Sequence, residues 1–273
     1  MDARSLLRWN GALPDPRDHP GAKNKAKAAE QVDGVADELA DLQERMYAAG
    51  RVGERRRVLL ILQAMDAGGK DGTVKHVVGL VNPGGVRISS FGKPTKDELA
   101  HDFLWRMNNA LPGQGELGVF NRSHYEDVLV VRVHDLVPPA VWRRRYVRIN
   151  TWERRLAGTG CSIVKVFLHI SPEEQLERLL ARIEDPTKHW KVGAADAGER
   201  ERWDDYQAAY LAALETCSTD VAPWYVVPAD RKWYRDWAVT HLLLETLRDL
   251  DLGWPSPAGV DLQAVRAQLK ASR

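Results

Sequence analysis

The sequence predicts an α/β fold of three α/β/α layers, a parallel sheet covered by helices on both faces, and three observations predict it. Val58-Leu59-Leu60-Ile61-Leu62 is a short apolar run of the kind that a parallel strand buries on both faces. Glycines follow it at once and lead into a helical stretch. Downstream, strand-like and helix-like segments alternate at the spacing of βαβ units.

Each element follows in order. Residues 10–22, rich in Pro, Gly and Asp, read as an extended lead-in. Between Asn24 and Ala49, Val32, Val35, Leu39, Leu42 and Met46 recur at spacings of three and four, which predicts a helix laid across the core and ended by Gly50. After the apolar strand, a helix is expected over 73–81. Further strands are expected at 86–91, 117–120, 128–133, 162–170 and 224–227, and helices over 95–110, 139–157, 172–183, 199–217 and 232–250. The expected division is an N-terminal extension and packing helix (1–53), one α/β domain (54–253) and a polar, peripheral tail (254–273).

Composition narrows the classes. A chain of 273 residues with 44% hydrophobic residues can bury a substantial core. The 39 basic and 38 acidic residues leave a formal net charge of +1, which argues against a protein that coats nucleic acid over its whole surface. A basic channel for a linear polyanion remains compatible with it. The two cysteines, Cys161 and Cys217, match no zinc or disulfide spacing, so a reducing cytoplasm is expected. No signal-like apolar run opens the chain, and no stretch approaches the ~18 apolar residues of a membrane span.

The glycine-rich turn is Asp66-Ala67-Gly68-Gly69-Lys70-Asp71-Gly72-Thr73. Glycines between a strand and a helix let backbone N–H groups converge on phosphate oxygens, and the helix N-terminus adds its positive end. Gly68, Gly69, Gly72 and Thr73 are the candidate cradle, with Lys70 reaching the phosphates and Lys75 following on the helix. Strictly scored, Ala64 stands where the consensus has its first glycine, and Asp71 stands where a magnesium-binding hydroxyl belongs. Asp66 is the carboxylate available to replace that hydroxyl. The alternative is a plain strand–helix turn with a surface lysine.

Arg122 follows an expected strand end, where open α/β sheets collect their ligands, and could clamp a phosphate. Asp102 and Arg106 stand four apart on the 95–110 helix, the spacing of an intrahelical ion pair. Segment 184–198 is charged and punctuated by Pro186, Gly193 and Gly198; with Lys188, Lys191 and the helix-face pair Arg178 and Arg182 it has the makings of a closing lid. Six arginines between Arg143 and Arg155 are either a track for a polyanion or a solvated helix face.

The loop, together with His101-Asp102-Phe103-Leu104-Trp105-Arg106, the 120–127 block Phe-Asn-Arg-Ser-His-Tyr-Glu-Asp, Lys188-His189-Trp190-Lys191, Trp203-Asp204-Asp205-Tyr206 and the 222–230 block, resembles the polyphosphate kinase 2 family. The resemblance implies a P-loop kinase fold similar to thymidylate kinase with a helical lid. It implies transfer of a phosphoryl group between inorganic polyphosphate and AMP, ADP or ATP, with Mg2+ (or Mn2+). Asp66, Lys70 and Arg122 are then the catalytic set, Asp66 and Glu126 the metal set, and Phe91, Asp102, Arg106 and Asn121 the nucleotide set. Asn121 stands where several members carry a metal-binding Asp, and its Asn-Arg-Ser-x-Tyr form resembles the subgroup that phosphorylates both AMP and ADP. A homo-oligomer, dimer or tetramer, is also implied. Two rival readings share the loop: an ATP-dependent kinase of nucleotides or other small molecules, and a non-catalytic polyphosphate or nucleotide sensor.

Overall fold

The computed structural model describes residues 2–257 and 259–272. Its centre is a five-stranded parallel sheet of β1 (Arg57–Ala64), β2 (Val86–Ser90), β3 (Leu117–Asn121), β4 (Cys161–His169) and β5 (Trp224–Pro228), in the order β2-β3-β1-β4-β5. The chain places β2 and β3 on one side of β1 and then crosses to the other side for β4. Such a reversal leaves a crevice at the C-terminal ends of the strands.

The helices are α1 (Ala3–Leu7), α2 (Lys25–Arg51), α3 (Lys70–His76), α4 (Lys96–Ala100), α5 (Trp105–Ala110), α6 (Val130–Val133), α7 (Pro139–Ala157), α8 (Pro172–Glu184), α9 (Asp196–Glu201), α10 (Trp203–Cys217), α11 (Lys232–Asp249) and α12 (Leu262–Ala271). The apolar run of β1 is continuous because the strand is covered on both faces. Val58, Leu60 and Leu62 pack into one cluster with Leu39 and Met46 of α2 and Val239 and Leu243 of α11. Leu59 and Ile61 face the other way, against Met107 of α5 and Trp152 and Leu156 of α7. The side chain of Asn24 opens α2 by accepting from the Lys27 amide (3.0 Å), and Gln31 ties that helix to Trp237 of α11 (2.8 Å). Among the described residues no helix is long and apolar enough to cross a membrane.

The structure corrects four expectations. Residues 128–133 form no strand: a 3-10 turn over His124–Asp127 leads into α6. Ser123 accepts from the Tyr125 amide and starts that turn; Val128 and Leu129 bury their side chains from the link between the turn and α6, and Val133 from α6 itself. A nearly continuous apolar run carries no period to tell strand from helix. The helix expected over 95–110 is broken into α4 and α5, because Asp102 accepts from the Leu104 amide (3.1 Å) and starts a new turn. As a result Leu99, on the stretch before the break, is exposed. The helix expected from residue 73 begins at Lys70 and gives way after His76 to a 3-10 turn, Val78–Leu80. The helix expected over 199–217 is interrupted at Arg202 into α9 and α10, and the peripheral tail is helical as α12.

Candidate active site

The loop between β1 and α3 lies at the C-terminal edge of the sheet, beside the end of β3. Register puts Leu62 opposite Asn121, and the Arg122 amide adds one more ladder bond to the Leu62 carbonyl (3.1 Å). Strand pairing itself therefore sets Arg122 next to the loop. The loop needs unusual backbone: Ala67 has φ +60° and Gly69 φ +101°, both left-handed. Gly68 leaves no room for a side chain, since a Cβ there would stand 2.5 Å from that of Ala64.

Lys70, the first residue of α3, is buried and turns back into the loop, donating to the carbonyls of Ala64 (2.9 Å) and Met65 (3.4 Å). Burial, and next the nearby Arg122 cation, lower its pKa to about 8. Asp66 accepts from Arg122 Nη2 at 2.5 Å, and Arg122 Nη1 donates to Glu126 at 3.2 Å. Glu126 foremost, with Asp66, holds the Arg122 pKa above its ordinary value against the opposing effect of burial. Glu126 also stands 3.0 Å from the Gln63 side-chain nitrogen once that amide is turned.

Asp71, in the hydroxyl position of the consensus, accepts from Asn121 (2.8 Å) and forms an ion pair with Lys191 of the 184–198 segment. Burial works against its ionised form, but hydrogen bonds from Lys191 and Asn121 prevail and lower its pKa. The loop is braced from behind by α8. Gln175 donates to the Asp66 carbonyl (3.0 Å), and Arg178 donates to the carbonyls of Ala67 (3.0 Å) and Ala229 (2.5 Å) while pairing with Glu174.

Above the loop lies a cavity of about 690 Å³, walled by eight Lys and Arg residues against four Asp and Glu. The structure brings Asp66, Gly68, Gly69, Lys70, Gly72, Phe91, Asn121, Arg122, Arg178, Arg182, Lys188 and Lys191 together around it. Thr73, Lys75, Asp102, Arg106 and Glu126 do not line it. The Thr73 hydroxyl donates to the Gly69 carbonyl (3.2 Å), and Lys75 faces solvent. Asp102 and Arg106 do not pair, because the break before α5 takes Asp102 to Arg148 (2.5 Å) and leaves Arg106 donating to the Gly92 carbonyl (2.9 Å). The Arg106 guanidinium does lie over the Phe91 ring, 5.4 Å from its centroid, behind the cavity wall.

Sequence reasoning missed His76, Lys232 and above all Arg235, which line the same cavity. Arg235 of α11 is only 3% exposed, anchored by its neighbour Asp236, and its guanidinium fills the space where side chains at positions 69 and 72 would go. The one available signal was a cluster of cations just after the last strand, Arg231 to Arg235.

Among the described residues, no group of three or more His, Cys, Asp or Glu is arranged to hold a metal. A divalent ion that keeps several waters and binds through one or two carboxylates plus substrate phosphates needs no such group. Asp66, about one-third exposed at the cavity edge, fits that kind of site.

A glycine-rich loop from the central strand of a parallel sheet into a helix, with a buried lysine and an arginine beside it, defines a P-loop phosphotransferase. The chain belongs to the polyphosphate kinase 2 family, whose model matches residues 22–252. It is 51% identical over 244 residues to an AMP/ADP-polyphosphate phosphotransferase of Meiothermus ruber, covering 89% of this chain and 90% of that one. It is 46% identical over 231 residues to an ADP-polyphosphate phosphotransferase of Rhodopseudomonas palustris, covering 80% and 78%. Among solved structures it resembles a polyphosphate kinase 2 from Arthrobacter aurescens, with TM-score 0.95 and 46% identity over 100% of this chain and 98% of that one.

Proposed function

We propose that this enzyme transfers the terminal phosphoryl group of inorganic polyphosphate to AMP and ADP, and catalyses the reverse reaction. The observation that carries this reading is the convergence of Asp66, Lys70 and Arg122 at the base of a cavity with twice as many cations as acids in its walls. A cationic excess of that size suits a donor whose charge continues past the reacting phosphate. The names of relatives in the same family support the same substrates.

Lys70 releases its loop carbonyls and donates to phosphate oxygens, while Arg122 clamps the transferring group from the β3 side. Glu126 keeps Arg122 charged and oriented. Arg178 supports the loop from behind, leaving Arg182, Lys188, Lys191, Lys232 and Arg235 to face the donor. Asp66 would hold Mg2+, with Mn2+ as a substitute; when bound, the ion neutralises phosphate oxygens and draws donor and acceptor into line. Phosphoryl transfer of this kind is achieved by positioning and charge stabilisation, so no covalent intermediate on the protein is needed. Phe91, half of an edge-to-face pair with Phe120 at 4.9 Å, offers the acceptor base an aromatic wall.

The test is incubation of the protein with polyphosphate, Mg2+ and either AMP or ADP in the absence of ATP. The reading expects ADP from AMP and ATP from ADP. Phosphorylation only when ATP is supplied would favour an ordinary nucleotide kinase, and binding without turnover a sensor.

A further inference from the structure

Helix α8 is built the reverse of an ordinary surface helix. Its buried residues are Gln175 and Arg178, which brace the phosphate loop, while Leu176, Leu180 and Ile183 are 42%, 49% and 56% exposed. At 100° per residue these three form one stripe, and Glu173, Glu177 and Glu184 form an acidic row along one side of it. Helix α12 carries the complementary pattern. It buries no residue; Leu262, Val265 and Leu269 form a stripe with 62%, 39% and 69% exposure, and Arg266 and Lys270 form a basic row along one side. Both stripes run over seven positions, about 10 Å of helix.

The handedness of the two patterns is decisive. In each helix the charged row lies on the same rotational side of its stripe. Two right-handed helices packed face to face then bring those rows together only when antiparallel. In that arrangement Lys270 meets Glu173 and Arg266 meets Glu177, with Leu269 over Leu176 and Leu262 over Ile183.

The tether favours a second copy as the source of α12. Lys232, at the start of α11, lines the cavity, and α11 runs 18 residues, about 27 Å, to the far end of the molecule before the tail begins. Leu250 lies beside Arg56 at the start of β1, whereas α8 lies at the loop after that strand, so residues 250–261, with a reach of about 40 Å, would have to run back along the length of the sheet to bring α12 to its own α8. We infer that α8 is a docking surface for the C-terminal helix of another copy of this chain, paired antiparallel, exchanged reciprocally in a two-fold dimer. The neighbour's tail then rests on the back of the helix that holds the phosphate loop.

The full-length chain tests this by disulfide trapping. Copies carrying Leu176→Cys and copies carrying Leu269→Cys are oxidised separately and as a mixture; the native Cys161 and Cys217 are buried and stay out of the reaction. The mixture is expected to give a reducible dimer containing one copy of each, absent from either variant alone. Light scattering on Leu269→Glu is expected to show the mass of the unmodified protein reduced by half or more. The inference is overturned if the mixture gives no such dimer, if a Leu176→Cys/Leu269→Cys chain links only within itself, or if Leu269→Glu keeps the full mass.

Discussion

Arg122 Nη2 lies 2.5 Å from a carboxylate oxygen of Asp66, so the phosphate loop and the end of β3 are tied across the base of the cavity. Both side chains are about one-third exposed, and an ion pair so placed contributes only ~0–1 kcal/mol to stability. Its importance is therefore to chemistry. Asp66→Asn is expected to lower kcat on the order of a hundredfold or more, while shifting Tm by about 2–4 °C at most. Steady-state rates and a thermal melt on one preparation check this; near-normal turnover would remove Asp66 from the mechanism.

Lys70 supplies a pH test. Burial holds its folded pKa at about 8, below the ordinary 10.5. Between those values the folded chain carries fewer protons at this site than the unfolded one, so this group's contribution to stability rises with pH through that window. Binding works in the opposite direction, because phosphates favour the charged amine. Polyphosphate affinity is expected to fall as pH rises past about 8, and binding near that pH to take up a proton, measured by calorimetry in buffers of different ionisation heat. Lys70→Arg, charged throughout, should lose this proton uptake; its persistence in the variant would contradict the assignment.

The pair between Asp71 and Lys191 links the loop to the lid segment in an exposed setting, 58% and 27% open. Lys191→Ala is expected to leave Tm nearly unchanged and to raise KM for polyphosphate several-fold, as a cation is lost from the cavity wall. An unaltered KM would mean that Lys191 does not meet the donor.

Gly69 combines φ +101° with a position pressed against the Arg235 guanidinium. Gly69→Ala should cost ~1–3 kcal/mol of stability and displace Arg235, weakening polyphosphate binding. Denaturant melts and KM measurements read the two effects, and wild-type values in both would refute the tight contact.

Beneath the site, Lys165 and Glu153 form a fully buried pair at 2.7 Å, and Tyr125 and His124 bond to the same carboxylate. Lys165→Met leaves Glu153 uncompensated and should cost ~3–5 kcal/mol, whereas Lys165→Met with Glu153→Leu should recover most of it. Chemical denaturation of the single and double variants measures this; equal losses in both would show that burial of charge is not the cause.

How much the sequence disclosed depends on whether the signal is local. The run Val58 to Leu62 and the glycines after it were legible because one strand and one loop carry all their own information. The run at 128–133 misleads because five apolar residues out of six, mostly valine, carry neither a strand period nor a helix period. Asp102 and Arg106 had the spacing of a pair, but spacing matters only inside a continuous helix, and Asp102 ends that continuity by capping Leu104. Arg235 was invisible because its contact with Gly69 and Gly72 arises only where α11 crosses the loop. On α8 the inward side belongs to Gln175 and Arg178, not to Leu176, Leu180 and Ile183, because the loop carbonyls need donors, and no local pattern in the sequence announces that.

The central claim is that polyphosphate itself is the donor. The most direct measurement follows phosphorus in solution by NMR while the enzyme acts on AMP, polyphosphate and Mg2+ without ATP. The expected result is loss of polyphosphate end groups matched by the appearance of ADP and then ATP phosphates. An unchanged spectrum, with nucleotide phosphorylation restored only by added ATP, would contradict it.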